Sequence, residues 1–376
     1  MELLTEKNRN VEITQKVLWL LLAVAINALE LAIPRLPFLP WLKPGFANVI
    51  TIMWIIKFGF TDALLYTILR IWISSFYFGF SLLTLGLGLS GGILSTIGMA
   101  TLWKLFGKRN LIGTVGLGMA GALFHNVGQL AAVYFIMARN MQLFYQLPFM
   151  FGAAMTFGSL VGGSVPYIAK RLEVQPKTSD LMKLSHHKQV PILHKIISIT
   201  TLLVSFSLVF IKDFSILSAA ALLSSILAWK IQSYKYRTLF YPLKFYLIFL
   251  FVGCMHLFFS FGTHISAVPF ITREGLVATA AQWLRLWVWL QVSHIFRKFQ
   301  FHAFFMDILK RVFPNKAVTI EAGLIALEYF PETIHRTKTG TKASIIRLLT
   351  KPGKTLDSFL KEMIAQLEKL ISKAHG

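Results

Sequence analysis

Charge is scarce in this chain, and acidic charge most of all. Its 376 residues carry 16 Asp and Glu against 38 Lys and Arg. All four types together make 14% of the sequence, where a soluble domain carries about 25%. Whole stretches have none. No Asp, Glu, Lys or Arg occurs in the 33 residues from Ile71 to Trp103, the 29 from Asn110 to Ala138, the 30 from Asn140 to Ala169 or the 28 from Phe245 to Thr272. A helix needs about 20 apolar residues to cross a bilayer. Such runs exclude an ordinary soluble enzyme and a disordered chain alike, because water would have to solvate too much apolar surface. Cysteine is nearly absent. Cys254 stands alone, which excludes an intrachain disulfide and a cysteine metal cluster.

What is present is hydrocarbon and basic charge. Hydrophobic residues make 55% of the chain, and the mean hydropathy is +0.63. The formal charge is +22. In a soluble protein that excess would suggest nucleic acid. In a membrane protein Lys and Arg collect on cytoplasmic loops, where anionic lipid attracts them, so no nucleic-acid partner is expected. The apolar stretch Val17–Ile33 runs into Pro34 without a small-residue cleavage site. It reads as a retained first span.

Glycine divides the chain, with 18 of 25 glycines in residues 1–172. That half predicts six helices, near 17–33, 46–58, 60–78, 82–106, 111–137 and 148–169. Breaks fall at the Pro34–Pro44 loop, Gly59, Gly79, Gly107 and Pro148. The glycine-rich helices 82–106 and 111–137 predict close backbone approach. A basic linker covers 171–191. Four further spans are expected near 193–211, 214–231, 243–262 and 275–296. Beyond them Phe301, Phe304, Phe305, Ile308, Leu309 and Val312 form one apolar helical stripe, and Leu356, Phe359, Leu360, Met363, Ile364, Leu367 and Ile371 another. These could lie on the membrane or receive a partner protein. The fold class is therefore an all-α integral membrane protein of about ten transmembrane helices. Its expected domains are 1–170, a six-helix membrane unit; 171–191, the linker; 192–297, a four-span unit; and 298–376, cytoplasmic amphipathic helices. Lys7, Arg9, Lys16, Lys104, Lys108, Arg109, the linker, Lys230, Lys235, Arg237, Lys244 and the tail all fall inside if both termini are cytoplasmic. The Pro-rich loop with Arg35 and Lys43 is the exception.

Ionisable groups at membrane depth are costly, and each is a candidate for function. Asn27 and Glu30 share a face of the first helix. Asn48 opens the second, Arg70 lies in the third, and His125, Asn126 and Gln129 lie in the fifth. Two readings follow. In one, these residues form an outward-facing substrate pocket, whose Arg, His and amides suit an anionic or polar head group. In the other, Glu30 pairs with Arg70 and the amides tie helices together. Trp283, Trp287 and Trp289 near Arg285 read as a packed or interfacial belt. His186, His187 and His194 read as solvated linker histidines, so no metal site is expected.

No catalytic constellation is legible. The five aspartates, Asp62, Asp180, Asp213, Asp307 and Asp357, are nowhere adjacent. A metal-diphosphate prenyl-transfer site uses paired aspartates to hold magnesium. There is no Walker motif, so ATP hydrolysis would have to come from a partner. The chain reads as a non-enzyme without a cofactor.

Asn27-Ala28-Leu29-Glu30 with Pro34, Gly45-Phe46-Ala47-Asn48, Arg70, and above all Gly121-Ala122-Leu123-Phe124-His125-Asn126-Val127-Gly128-Gln129 resemble the Gx transporter family, also labelled heptaprenyl diphosphate synthase component I. The resemblance covers residues 1–170. It implies the six-helix fold of substrate-binding subunits of energy-coupling factor importers, in a bacterial inner membrane. In the second half, Arg273-Glu274-Gly275-Leu276, Leu284-Arg285-Leu286, the stripe from Phe304 to Leu309 and Ala326–Glu332 resemble the transmembrane coupling component of those importers. Thr337-Lys338-Thr339-Gly340 stands where its Ala-Arg-Gly-type docking motif is expected. The resemblance implies transport or binding of a small amphiphilic substrate, isoprenoid- or quinone-related. The alternative it implies is a non-catalytic membrane subunit assisting a prenyl synthase. The implied partners are the bilayer, the substrate, and ATPase subunits or a soluble prenyl synthase on the cytoplasmic helices.

Overall fold

The computed structural model describes residues 2–31, 45–79, 82–138, 141–172, 191–235, 238–259, 262–265, 268–299 and 301–337. The Pro-rich loop, most of the linker with His186 and His187, and the second apolar stripe lie outside the described residues. The described chain is helical except for one short hairpin. The first half comprises α1 (Glu2–Leu31), α2 (Asn48–Phe58), α3 (Phe60–Gly79), α4 (Leu82–Phe106), α5 (Thr114–Val133) and α6 (Leu147–Leu172). The second comprises α7 (Ile192–Ser207), α8 (Phe214–Ile231), α9 (Tyr246–Phe259), β1 (His264–Ile265), β2 (Val268–Thr272), α10 (Arg273–Lys298), α11 (Phe301–Val312) and α12 (Ala317–Thr337).

Glycine sets the packing of the first half. A Cβ at Gly118 would lie 2.2 Å from the Gly158 carbonyl oxygen, and one at Gly162 would lie 2.2 Å from that of Thr114. The backbones of α5 and α6 therefore touch, as small residues allow between helices in lipid. Gly59 has φ 86°, a conformation open to glycine at little cost, and there the chain turns from α2 into α3.

Four helical stretches among the described residues are long and apolar enough to cross a membrane: Leu82–Phe106, Thr114–Ile136, Met141–Lys170 and Phe214–Ile231. This is an all-α membrane protein, and among the described residues four helical stretches, of the about ten expected, meet that length and apolarity. With 11 residues α2 rises about 17 Å, against a hydrocarbon core of about 30 Å. The 14 residues of α9 and 16 of α7 also fall short of about 20.

The second half is built around α10. The Arg285 guanidinium donates through Nε to the Leu208 carbonyl at 3.1 Å and through Nη2 to that of Ile211, at and just beyond the C-terminus of α7, where carbonyls lack intrahelical partners. The Trp289 indole donates to the Ser205 carbonyl at 2.9 Å, and Gln291 Nε2 donates to the carbonyls of Thr238 and Leu239. The tryptophans near Arg285 are thus packing elements with satisfied N–H groups.

The apolar stripe of α11 is partly covered: Phe301 and Leu309 are buried, while Ile308 and Val312 are exposed. Phe305 stacks on Trp72 of α3 at 3.9 Å between ring centroids, and Phe301 tilts against the same ring at 5.2 Å. α12 follows α3 along its length. Thr319 meets Asp62, Gly323 leaves room for Leu69, and the Leu327 carbonyl accepts from the Tyr77 hydroxyl. The part of the tail expected to receive a partner is therefore packed on the chain's own first half. His194, at the start of α7, sets its ring edge-on to Phe299.

Candidate functional site

Glu30 lies in the last turn of α1, and its carboxylate is buried. Oε1 accepts from the Ala47 backbone N–H at 3.1 Å. That N–H is among the donors left over at the start of α2, where Ala47 has no capping side chain. A carboxylate from another helix takes that place and complements the positive end of the helix dipole. Asn48, the next residue, is also buried. Its Oδ1 accepts from Arg70 Nη2 of α3 across 3.5 Å. Glu30, Ala47, Asn48 and Arg70 so form one chain of contacts across three helices.

Arg70 is the outlier in energy. It is 5% exposed, its contact to Asn48 is long, and its Nε has no hydrogen-bond partner among the described residues. Among the described residues no carboxylate pairs with it. A buried cation without a counter-charge or a full set of acceptors is strongly disfavoured. The Glu30–Arg70 ion pair of the second reading is not formed, and Glu30 caps the start of α2 instead.

The α5 residues form a second group. His125 and Gln129, one turn apart, face Gly91 of α4. A Cβ at Gly91 would lie 2.8 Å from Gln129 Cγ and 2.9 Å from His125 Cε1, so the missing side chain makes their room. Gln129 is 3% exposed, and its Oε1 has no partner among the described residues. Asn126 points elsewhere. Its Nδ2 donates to the Met150 carbonyl at 3.0 Å, tying α5 to α6. Asn27 is half-buried on the Glu30 side of α1. The seven predicted residues thus fall into the α1–α3 group, the α4–α5 group, and Asn126 as a tie. α2 packs against α4 and α5 as well as α3, which sets the two groups on neighbouring helices.

One cluster escaped the sequence reading. Lys16 of α1, Asp62 of α3 and Thr319 of α12 are all buried. Lys16 Nζ lies 3.2 Å from Asp62 Oδ1 and donates to Thr319 Oγ1 at 2.9 Å. Thr319 Oγ1 donates to Asp62 Oδ1 at 2.6 Å, and Lys316 pairs with Oδ2 of the same carboxylate. Glu12 adds a second carboxylate 2.8 Å from Lys16. Lys16 reads as a flanking positive charge in sequence, and only the 303-residue separation from Thr319 hides its role. The cluster is internally matched and offers no open coordination for a ligand.

Residues 20–168 match the family model described as heptaprenyl diphosphate synthase component I. The match runs from α1 into α6 and includes all seven predicted site residues. It agrees with the resemblance drawn from the Asn27–Glu30, Gly45–Asn48 and His125–Gln129 stretches, and it does not extend to the coupling-component-like half. No curated protein and no solved structure matches the chain.

Proposed function

We propose that the six-helix first half binds a small amphiphile by its anionic or polar head, as the substrate-binding part of an energy-coupling-factor-like transport protein. The observation that supports this is Arg70, a buried guanidinium with one long contact to an amide and, among the described residues, no carboxylate paired with it. An anionic head group would supply the missing charge, and a charge-assisted hydrogen bond contributes about 1.5–3 kcal/mol. Asn48, Gln129 and His125 lie on the same or neighbouring helices as further polar contacts, with Glu30 and Asn27 on α1. The matched family's description, heptaprenyl diphosphate synthase component I, supports an isoprenoid tail, and a quinone-related one is part of the same proposal. In this reading both termini are cytoplasmic, the membrane is a bacterial inner membrane, and ATPase subunits supply the energy.

The same description carries a second reading, a non-catalytic membrane subunit that assists a soluble prenyl diphosphate synthase. In both readings the chain is not an enzyme. Purified full-length protein, given short prenyl diphosphates and magnesium, should form no longer product. The two readings part on what co-purifies in mild detergent, ATPase subunits or a prenyl synthase.

The binding site itself is tested with Arg70→Ala and His125→Ala. Each should weaken binding of the co-purified ligand by about 10- to 150-fold while protein still accumulates in the membrane. Undiminished binding by a folded double variant would remove the site.

A further inference from the structure

The second half holds a groove that plays no part in that reading. Between α8, α9 and α10 lies a cavity of about 820 Å³, lined among others by Phe214, Leu222, Tyr246, Leu250, Trp283 and Trp287. The Trp283 indole donates to the Phe249 carbonyl at 2.9 Å and that of Trp287 to Ser225 Oγ at 2.8 Å. Both indole donors are consumed within the wall, so the rings offer carbon to the groove. Phe214, Leu222, Tyr246 and Leu250 are exposed along its side. α8 is long and apolar enough to cross a membrane, so this opening meets hydrocarbon. Water in such a groove is unfavourable, and a lipid chain is the solvent at hand.

The two ends of the groove differ in charge. Beyond Ser225, at the end of the groove bounded by Ser225 and Leu243, α8 carries Lys230 and the turn after it carries Lys235, and no acidic residue lies among 226–235. Lys230 and Lys235 are exposed. At the other end Asp213 caps α8 through the Ile216 N–H, and Glu274 accepts from Thr263. These two carboxylates offset Lys212 and Arg273 there. The groove therefore has one basic mouth and one neutral end. Its length is also defined. From Phe214 to Ser225 α8 rises about 16 Å, about half of the hydrocarbon core, which is the reach of one lipid chain in one leaflet.

We propose that this groove binds one acyl chain of an anionic bilayer phospholipid, with the head-group phosphate against Lys230 and Lys235. The chain supplies the apolar contact, and the two lysines select the head group. Each basic residue near an anionic lipid surface is worth enough for a several-fold preference, and two together for about tenfold or more.

The test uses the full chain in mild detergent, incubated with phosphatidylglycerol or with phosphatidylcholine and read by native mass spectrometry. One phosphatidylglycerol per chain should be retained, with phosphatidylcholine held about tenfold more weakly. Ala280→Trp fills the groove and should abolish retention. Leu222→Trp, on the exposed rim, blocks the mouth without burying new volume, and should do the same even if Ala280→Trp fails to fold. Lys230→Gln with Lys235→Gln should erase the preference between the two lipids. Arg70→Ala should leave lipid retention unchanged, which separates this groove from the α1–α5 site. Equal retention of both lipids by the parent chain, undiminished retention after Leu222→Trp, loss of retention in Arg70→Ala, or a polyprenyl phosphate held in place of phospholipid would each overturn the proposal.

Discussion

Two arginines, both buried, have opposite surroundings. Arg285 spends its guanidinium on backbone carbonyls at the end of α7, and Arg70 has one long bond to an amide. The first is structural glue, and the second is the group that the proposed ligand would neutralise. Asp62 belongs with the first kind. It balances Lys16 and Lys316 and accepts from Thr319. Removing one partner of a buried pair costs about 3–5 kcal/mol, because the other charge stays buried and uncompensated. Asp62→Ala should therefore lower the thermal midpoint in detergent by many degrees. Lys316→Ala, at a partly solvated position, should cost less than about 1 kcal/mol. Equal, small shifts for both would mean that the cluster contributes no net stability. Glycine at the site can be tested in the same way. Gly91→Ala should displace His125 and Gln129 and weaken ligand binding, since its Cβ would sit within 3 Å of both. Gly152→Ala meets nothing within 4 Å. It should stabilise by about 1 kcal/mol or less through helix propensity alone.

At the scale of elements, hydropathy located most helices well. α4 and α8 run over the expected residues, and α3, α6 and α10 differ by a few at their ends. Uncharged runs with glycine or proline punctuation mark helices in lipid strongly. Three features were not legible. The β1–β2 hairpin pairs His264 with Thr272 inside an uncharged run, where hydropathy cannot tell strand from helix. α5 ends in a π-helical turn, Tyr134–Ala138, with no breaker in the sequence to announce it. The third is the destination of the α11 stripe. Amphipathicity reports that Phe301, Phe305 and Leu309 will be covered, and not by what. Here the cover is shared by α12, α10 and α7, with Trp72 of α3 against Phe301 and Phe305. The candidate residues Glu30, Asn48, Arg70, His125 and Gln129 were legible because polar groups stand out in apolar runs. Their division into two groups was not, because it depends on Glu30 capping α2. Trp72→Ala should remove the stack on Phe305 and the contact with Phe301, at about 3–5 kcal/mol. Limited proteolysis should then cut sooner within 301–337, while cleavage elsewhere in the chain keeps its rate. Unchanged cutting in 301–337 would mean that α11 and α12 are held by other contacts.

At the scale of the whole molecule, one of the contacts between the halves bears on their register across the membrane. The Leu82 N–H, at the start of α4, donates to Ser293 Oγ near the end of α10 at 3.2 Å. Ten spans crossing side by side with both termini inside would put Leu82 at the outer face and Ser293 towards the inner one, separated by much of a core about 30 Å thick. The bond requires the two ends to be level, so the halves do not run as two bundles in matching register. Charge bias could not have foreseen this. Lys and Arg orient each loop relative to the membrane, and the register between halves is left to the linker. The 18 residues of 173–190 can reach about 60 Å when extended, which restrains neither arrangement. A pair of cysteines at positions 82 and 293, in a chain with Cys254→Ala, discriminates between the two. With the contact present, a short bifunctional thiol reagent should join them in native membranes, and both should share the same accessibility to an impermeant maleimide. Cysteines at 40 and 180, labelled in parallel, report which face each loop occupies. If 82 and 293 label from opposite faces and never cross-link, the halves cross in register and the α4–α10 contact is not made in the membrane. Cross-linking together with outside labelling at 40 and inside labelling at 180 would keep the first half as oriented by its charges and place the end of α10 beside the outer end of α4. The basic mouth of the α8–α10 groove would then meet the leaflet on that same side, because α8 and α10 run in parallel from their starts to Lys230 and Ser293.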